Sequence, residues 1–406
     1  MPARRAGSKG LPGRRAVILA GARTAFGVLG GSLRDVPAVQ LGSRAIAAAL
    51  ERAGVPPRQV DYVWMGQVLQ AGTGQVSSRQ ASIGAGLPVE VPSETINKVC
   101  ASGLRAVNLA ETAIRAGDVE VAVAGGMESM SQAPYLVAKA RFGHRMGHGT
   151  LVDALIQDGL WCPFGNVHMG VHGNRMAREF GISRQEQDAW AYRSHMRALA
   201  ALRSGVLAQE IVPFPVPQKK GEPVLFAQDE GIRPDTSLEK LASLPPVFEP
   251  DGTITAGNAP GINDGAAALV LMDESLARAE GRQPLARILA HAAVSAEPPY
   301  LATVPALAAQ RAVAKAGLTM ADVGLVEVNE AFAAVAIVST RLAGWDEERV
   351  NVNGGAIALG HPIGASGARI LLTLVLEMRR RQVEFGLAAI CSGAAQGEAT
   401  LVQLLP

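Results

Sequence analysis

The sequence predicts an α/β protein built as two similar halves, and three observations carry that prediction. The hexapeptide Cys100-Ala-Ser-Gly-Leu-Arg105 returns near the end of the chain as Gly364-Ala-Ser-Gly-Ala-Arg369. A longer copy surrounds it, Ala45–Gln67 being shadowed by Ala308–Glu330, with Gly54 answering Gly317. Short apolar runs alternate with longer helical stretches throughout, the pattern of α/β units and a mostly parallel sheet.

Taken in order, Ala16–Ala20 and Val119–Ala124 are contiguous apolar runs and read as buried strands. Leu41–Ala53 reads as a helix stopped by Gly54, with Pro56-Pro57 beyond it. A second helix is expected from about Cys100 toward Arg115, ending before Gly117. The duplicate repeats this order: helix Val304–Ala316, strand Val323–Val328, helix from about Gly364 to Arg381, strand Leu387–Cys391. Gly265–Asp273 resumes a strand pattern that closes the first half.

Residues from about Ser131 to Ala259 have no counterpart and are richer in Met, His, Pro and charge, so they read as an inserted lid over a site. The expected organisation is therefore a basic, disordered tail over 1–15, a first half over 16–130 plus 260–283, an insert over 131–259 and a second half over 284–406. Arg-rich and free of acidic residues, Met1–Arg15 has the charge of a transit peptide, but its Pro and Gly residues break the helix such a peptide needs.

Composition excludes several classes. With 48% hydrophobic and 18% charged residues the chain is expected to be soluble and multi-core. A net charge of +2 supplies no field for nucleic acid or an anionic membrane. Three cysteines, Cys100, Cys162 and Cys391, cannot pair completely and point to a reducing compartment, the cytoplasm. No Cys-x-x-Cys spacing occurs, and no G-x-G-x-x-G follows a strand.

The duplication also shows where chemistry was specialised. Cys100 stands where the second half has Gly364, and His361 falls opposite Asn97, so a thiol and an imidazole occupy equivalent turns. A thiol at a helix N-terminus gains thiolate character from free N–H groups and the macrodipole. An imidazole in a glycine-rich turn is suited to taking the thiol proton. Cys391 ends a predicted strand before the small residues Ser392-Gly393-Ala394-Ala395. A second cysteine beside the first serves either as a disulfide partner or as an acid/base. On the residues alone, a CoA-binding or thiol redox-sensing protein remains a rival to an enzyme.

Asn97-Lys-Val-Cys-Ala-Ser-Gly103, Asn329-Glu-Ala-Phe332, Asn353-Gly-Gly-Ala-Ile-Ala-Leu-Gly-His-Pro362 and Cys391-Ser-Gly393 occur in that order. Together with Gly125–Met130 and Thr255–Asn258 they resemble the signature segments of the thiolases, over nearly the whole chain from about Arg15. The resemblance implies a duplicated five-layer αβαβα fold and two-step acyl transfer: condensation of two acetyl-CoA to acetoacetyl-CoA, or the reverse thiolysis, through an acyl-cysteine. It also allows a longer-chain 3-ketoacyl-CoA thiolase of fatty-acid oxidation.

The roles it implies are Cys100 as nucleophile, His361 as its base, Cys391 as the α-proton base and Asn329 as holder of a water that joins His361 at the enolate oxygen. The backbone N–H groups of Cys100 and Gly393 would hold the tetrahedral intermediate. His168 and Met169 resemble the segment lining the acyl pocket, Met169 favouring short chains. Arg233 corresponds to a position near the CoA adenine, while Phe248 and Phe332 wall the pantetheine tunnel. Coenzyme A and acetyl-CoA enter as substrates, with no tightly bound cofactor or metal, and a homo-tetramer, a dimer of dimers, is implied. Two departures stand out: Pro260 replaces a serine that contacts the pantetheine arm, and Gly393-Ala394-Ala395 replaces three glycines.

Overall fold

The computed structural model describes residues 13–406. In the first half the chain runs β1 (Ala16–Thr24), α1 (Ala38–Ala53), β2 (Tyr62–Gly66), β3 (Ser93–Ile96), α2 (Ser102–Ala116) and β4 (Val121–Ser129). The insert follows, with α3 (Met169–Glu179) and α4 (Arg184–Arg203), before β5 (Asn263–Asp273). The second half repeats the plan as β6 (Ala286–Ser295), α5 (Val304–Lys315), β7 (Leu325–Val328), α6 (Ala333–Ala343), α7 (Ser366–Arg381), β8 (Phe385–Ser392) and β9 (Gln396–Leu404). Helix ends follow the punctuation in the sequence: Gly54 and Gly117 close α1 and α2 in the left-handed region, at φ 63° and 84°.

The sheet order is β3-β2-β4-β5-β1 in the first half and β7-β8-β9-β6 in the second, with Val350 bridging Val326 at the place β3 takes in the first. β1 and β6 join the two through Val17↔Arg287 and Ile18↔Ala286. The expected mostly parallel sheet needs correction. β2 pairs in parallel with β3 and β4, and β7 with β8, but β5 and β9 run antiparallel to both their neighbours. Only Gly393–Ala395 separate β8 from β9. A parallel crossover takes a dozen residues or more, so strands joined by three residues must run antiparallel. At the matching connection of the first half, between β4 and β5, the turn is replaced by the whole insert.

Alternation along each strand builds the layers. Val17 and Leu19 face the core under α1, whereas Ala16 and Ile18 face the core around α2 and α7. α5 and α6 cover the far side of the second sheet, giving five layers in the order αβαβα. α2 and α7 meet in the central layer at the glycines of the repeated hexapeptide. A Cβ on Gly103 would lie 2.9 Å from the Ala368 nitrogen, and one on Gly367 would strike the Leu104 backbone. The duplicated glycine is thus what lets the two halves close on each other.

The insert has helices that feed both outer cores: Met176 and Trp190 join the α5/α6 core, and Ala198 and Ala201 join the α1 core. Glu330, fully buried, ties α4 to the second half by accepting from Trp190 Nε1 (2.9 Å), Ser194 Oγ (2.8 Å), Asn351 Nδ2 (3.0 Å) and the Ile357 N–H (3.0 Å). At the chain start, the expected tail is too long by its last residues. Arg14 Nη2 lies 3.1 Å from Glu120 and the Arg15 carbonyl accepts the Glu274 N–H at 2.9 Å, because both residues lead straight into β1. Met1–Pro12 lie outside the described residues.

Candidate active site

The duplicated hexapeptides deliver the thiol and the imidazole from opposite halves. Val99, immediately before Cys100, has φ 45°, a costly conformation for a β-branched residue. It turns the chain sharply between the end of β3 and α2. Ser102 braces this turn, donating to the Val99 carbonyl (2.6 Å) and accepting the Lys98 N–H (2.8 Å). In the second half the equivalent Ser366 donates to the Pro362 carbonyl (2.9 Å) and lies 2.6 Å from His361 Nδ1. The same serine thus braces the Cys100 turn in one half and the His361 turn in the other.

Cys100, His361, Cys391 and Gly393 line one cavity of about 210 Å³, together with His168, Met169, Phe248, Pro260 and Phe332. Two sulfurs and an imidazole far apart in sequence therefore share one cavity. Asn329 lies behind that lining, its Nδ2 at 3.4 Å from His361 Nε2 and its Oδ1 buried without a partner. Such an orphaned acceptor is a place for a bound water. Asn263 Oδ1 fixes the other side of His361 by accepting its backbone N–H at 2.8 Å. Phe248 stacks on His168 with centroids 4.4 Å apart and meets Phe332 edge-on at 6.0 Å. His168 Nδ1 caps α3 by accepting the Gly170 N–H at 3.0 Å, which sets the ring orientation. Arg233 stands apart: it is exposed, outside the cavity lining, and its backbone N–H donates to His195 Nδ1 at 3.2 Å.

The electrostatics differ from the sequence expectation for Cys100. α2 begins at Ser102, two residues later than expected, so the thiol lies outside its first turn. Burial pushes that thiol up to about 12, its own backbone N–H opposes part of this, and the negative charge of Glu128 adds to it. Burial and the nearby Arg369 guanidinium hold His361 down at about 3. Burial and the proximity of Cys100 raise Cys391 as well. These shifts all favour the uncharged forms, two neutral thiols and a neutral imidazole. Ser366 decides which nitrogen is free: with its proton committed to the Pro362 carbonyl it accepts from Nδ1–H, leaving Nε2 as the acceptor.

Residues 16–275 match the family model described as Thiolase, N-terminal domain, and residues 282–404 the one described as Thiolase, C-terminal domain. The chain belongs to the thiolase family. It is similar to the acetyl-CoA acetyltransferase of Pseudomonas aeruginosa, 52% identical over 94% of this chain and 98% of that protein. The acetyl-CoA acetyltransferase of Cupriavidus necator is 51% identical over 95% of this chain and 98% of its own length. Among solved structures, the acetyl-CoA acetyltransferase of Bacillus anthracis superposes with a TM-score of 0.95 at 39% identity, covering 98% of this chain and 100% of that one.

Within this thiolase, sequence reasoning missed several residues that shape the site. Leu160, Ile262, Leu301 and Ile363 line the cavity as ordinary apolar side chains, with no local signal to separate them from core. Ser366 and Glu128 were legible in principle, the one as a repeated hexapeptide position and the other as an acidic residue inside an apolar strand. Cys162 is buried outside the cavity lining. Among the described residues no group of three or more His, Cys, Asp or Glu is arranged to hold a metal ion, and no helix is long and apolar enough to cross a membrane.

Proposed function

We propose that this thiolase condenses two acetyl-CoA molecules to acetoacetyl-CoA and CoA, and catalyses the reverse thiolysis, by ping-pong acyl transfer through Cys100. The observation that carries this reading is the shared cavity of Cys100, His361 and Cys391. The relatives of about 50% identity named acetyl-CoA acetyltransferase support it.

As the Cys100 sulfur attacks the thioester carbonyl, its proton passes to His361 Nε2, the free acceptor. Cys391 gives its own proton to the departing CoA sulfur, which leaves an acetyl-Cys100, an imidazolium and a Cys391 thiolate. Burial makes that thiolate strongly basic, which suits it to remove the α-proton of a second acetyl-CoA. The enolate oxygen is held by His361 Nε2–H and by a water on Asn329. The carbanion then attacks the acetyl carbonyl, and collapse returns the imidazolium proton to Cys100, so every proton is accounted for. Among the described residues, neither the Cys100 nor the Gly393 N–H donates to a side chain or a loop carbonyl, which supports their service at the tetrahedral oxyanion.

Met169 and the Phe248–Phe332 pair narrow the cavity, which supports a short acyl group over the longer chains of fatty-acid oxidation. Coenzyme A acts as substrate and leaving group, and the chemistry requires no tightly bound cofactor. We further infer a homo-tetramer joined through the insert, supported by Phe142 and Met146, which are 90% and 97% exposed in the single chain. Three free cysteines, two of them required as thiols, support a reducing cytoplasm.

Incubation with radiolabelled acetyl-CoA tests the mechanism. One label per chain is expected on the wild type, none on Cys100→Ala, and a retained label without acetoacetyl-CoA release on Cys391→Ser. Undiminished labelling of Cys100→Ala would remove the acyl-cysteine from the reaction.

A further inference from the structure

Glu128 and Ser392 lie at the ends of β4 and β8, the same number of residues beyond Cys100 and beyond its counterpart Gly364. They are therefore equivalent positions of the duplicated fold, and each reaches into the opposite half. The Glu128 carboxylate accepts the Gly364 N–H at 2.9 Å, in the turn that carries His361, as well as the N–H groups of Val68 (3.0 Å) and Leu69 (3.1 Å). The Ser392 hydroxyl donates to the Lys98 carbonyl, in the turn that carries Cys100. Both residues are almost wholly buried, at 0% and 1% exposure.

Gly364 shows how tightly the first of these contacts is fitted. A Cβ there would lie 2.8 Å from Glu128 Oε2 and 2.6 Å from the Met127 carbonyl. The space that a thiol would fill in the second half is thus occupied by the carboxylate of the first.

We infer that Glu128 and Ser392 are reciprocal positioning residues, each half holding the other half's reactive turn, so that together they fix the separation of the Cys100 sulfur and the His361 imidazole. This inference rests on the acyl-cysteine reading above. Glu128 has a second effect through charge, because an anion near Cys100 keeps the thiol protonated until His361 takes the proton. Three N–H donors favour the anion, while burial, with Asp264 adding to it, pushes the carboxyl up to about 7. Cys391 and His361 are the other titrating groups that share the cavity with Cys100.

The test uses full-length Glu128→Gln, Ser392→Ala and Ser392→Thr. Misplacement by about 1 Å costs on the order of 10²-fold in rate. Single-turnover acetylation of Cys100 is expected to slow by about that factor in Glu128→Gln and Ser392→Ala, with KM close to wild type and a rate loss beyond what any fall in melting temperature accounts for, and Ser392→Thr should restore the rate lost in Ser392→Ala. In Glu128→Gln the pH midpoint for iodoacetamide alkylation of Cys100 should also move down, a change that a purely structural contact would not produce. If both variants acetylate at the wild-type rate, or lose rate only in proportion to lost stability with an unmoved alkylation midpoint, the reciprocal clamp is wrong. A wild type that takes no acetyl group would instead overturn the acyl-cysteine reading itself.

Discussion

The Ser366 hydroxyl lies 2.6 Å from His361 Nδ1 while donating to the Pro362 carbonyl at 2.9 Å. One small side chain therefore selects the imidazole tautomer, and so decides that Nε2 is the nitrogen able to take a proton.

Replacing Ser366 by alanine should leave Nδ1 without its acceptor and release the ring to adopt the other tautomer. An unsatisfied buried donor costs about 1–3 kcal/mol, so kcat should fall by roughly 10- to 100-fold with KM nearly unchanged. Steady-state thiolysis of acetoacetyl-CoA reads the split. An unchanged kcat would show that the serine does not set the tautomer.

Asn329→Ala should remove the partner of His361 Nε2 and the holder of the enolate-bound water. Loss of one such donor costs about 2.7–4 kcal/mol of barrier, or roughly 10²–10³ in kcat. The loss should fall on condensation more than on acetylation of Cys100, because only condensation passes through an enolate. Equal slowing of both half-reactions, measured by single-turnover labelling and by acetoacetyl-CoA release, would contradict the assignment.

The neutral resting site has a signature in pH. His361 is held at about 3, below the ordinary imidazole value of 6.5, and Cys100 at about 12, so the reactive pair should keep one protonation state between these limits. Acetylation should then show no loss near pH 6.5 from titration of the imidazole, and iodoacetamide should alkylate Cys100 slowly at pH 8. For stability the sign is equally definite. The unfolded imidazole binds a proton below 6.5 that the folded one refuses until about 3, so His361 makes the fold progressively less stable as pH falls through that window. Chemical denaturation at a series of pH values, compared with His361→Gln, measures this contribution.

Ala394 and Ala395 adopt φ 59° and 50°, where the sequence departs from three glycines. Left-handed backbone costs an alanine about 1–2 kcal/mol, and glycine gives back about 0.4–1 kcal/mol through the unfolded chain. Ala394→Gly or Ala395→Gly should therefore stabilise the protein by roughly 0.5–1 kcal/mol each, as a higher denaturation midpoint. A lower midpoint would show that the methyls contribute more by packing than the strain removes.

How far the letters alone reached is visible element by element. The α1 helix was legible from its glycine stop, the β1 strand from its contiguous apolar run and α7 from the repeated hexapeptide, because these signals are local. The direction of β5 and β9 was not, since apolar runs carry no sense of direction and only the three-residue turn at Gly393–Ala395 imposes it. The site divides in the same way. The signature segments marked Cys100, His361, Cys391 and Asn329, and the glycine-rich setting of His361 was readable, but the raised thiol of Cys100 was not.

What the sequence determined by itself was the duplication, the α/β alternation and the identity of the groups that could react. Those properties are written in residue type and spacing. Only the tertiary structure decided that the Glu128 charge bears on Cys100, that Arg369 bears on His361, and that Arg233 lies away from the cavity. Burial and charge act through space, and the contacts that place these groups cross between the halves, as where the Glu128 carboxylate accepts the Gly364 N–H from more than two hundred residues away.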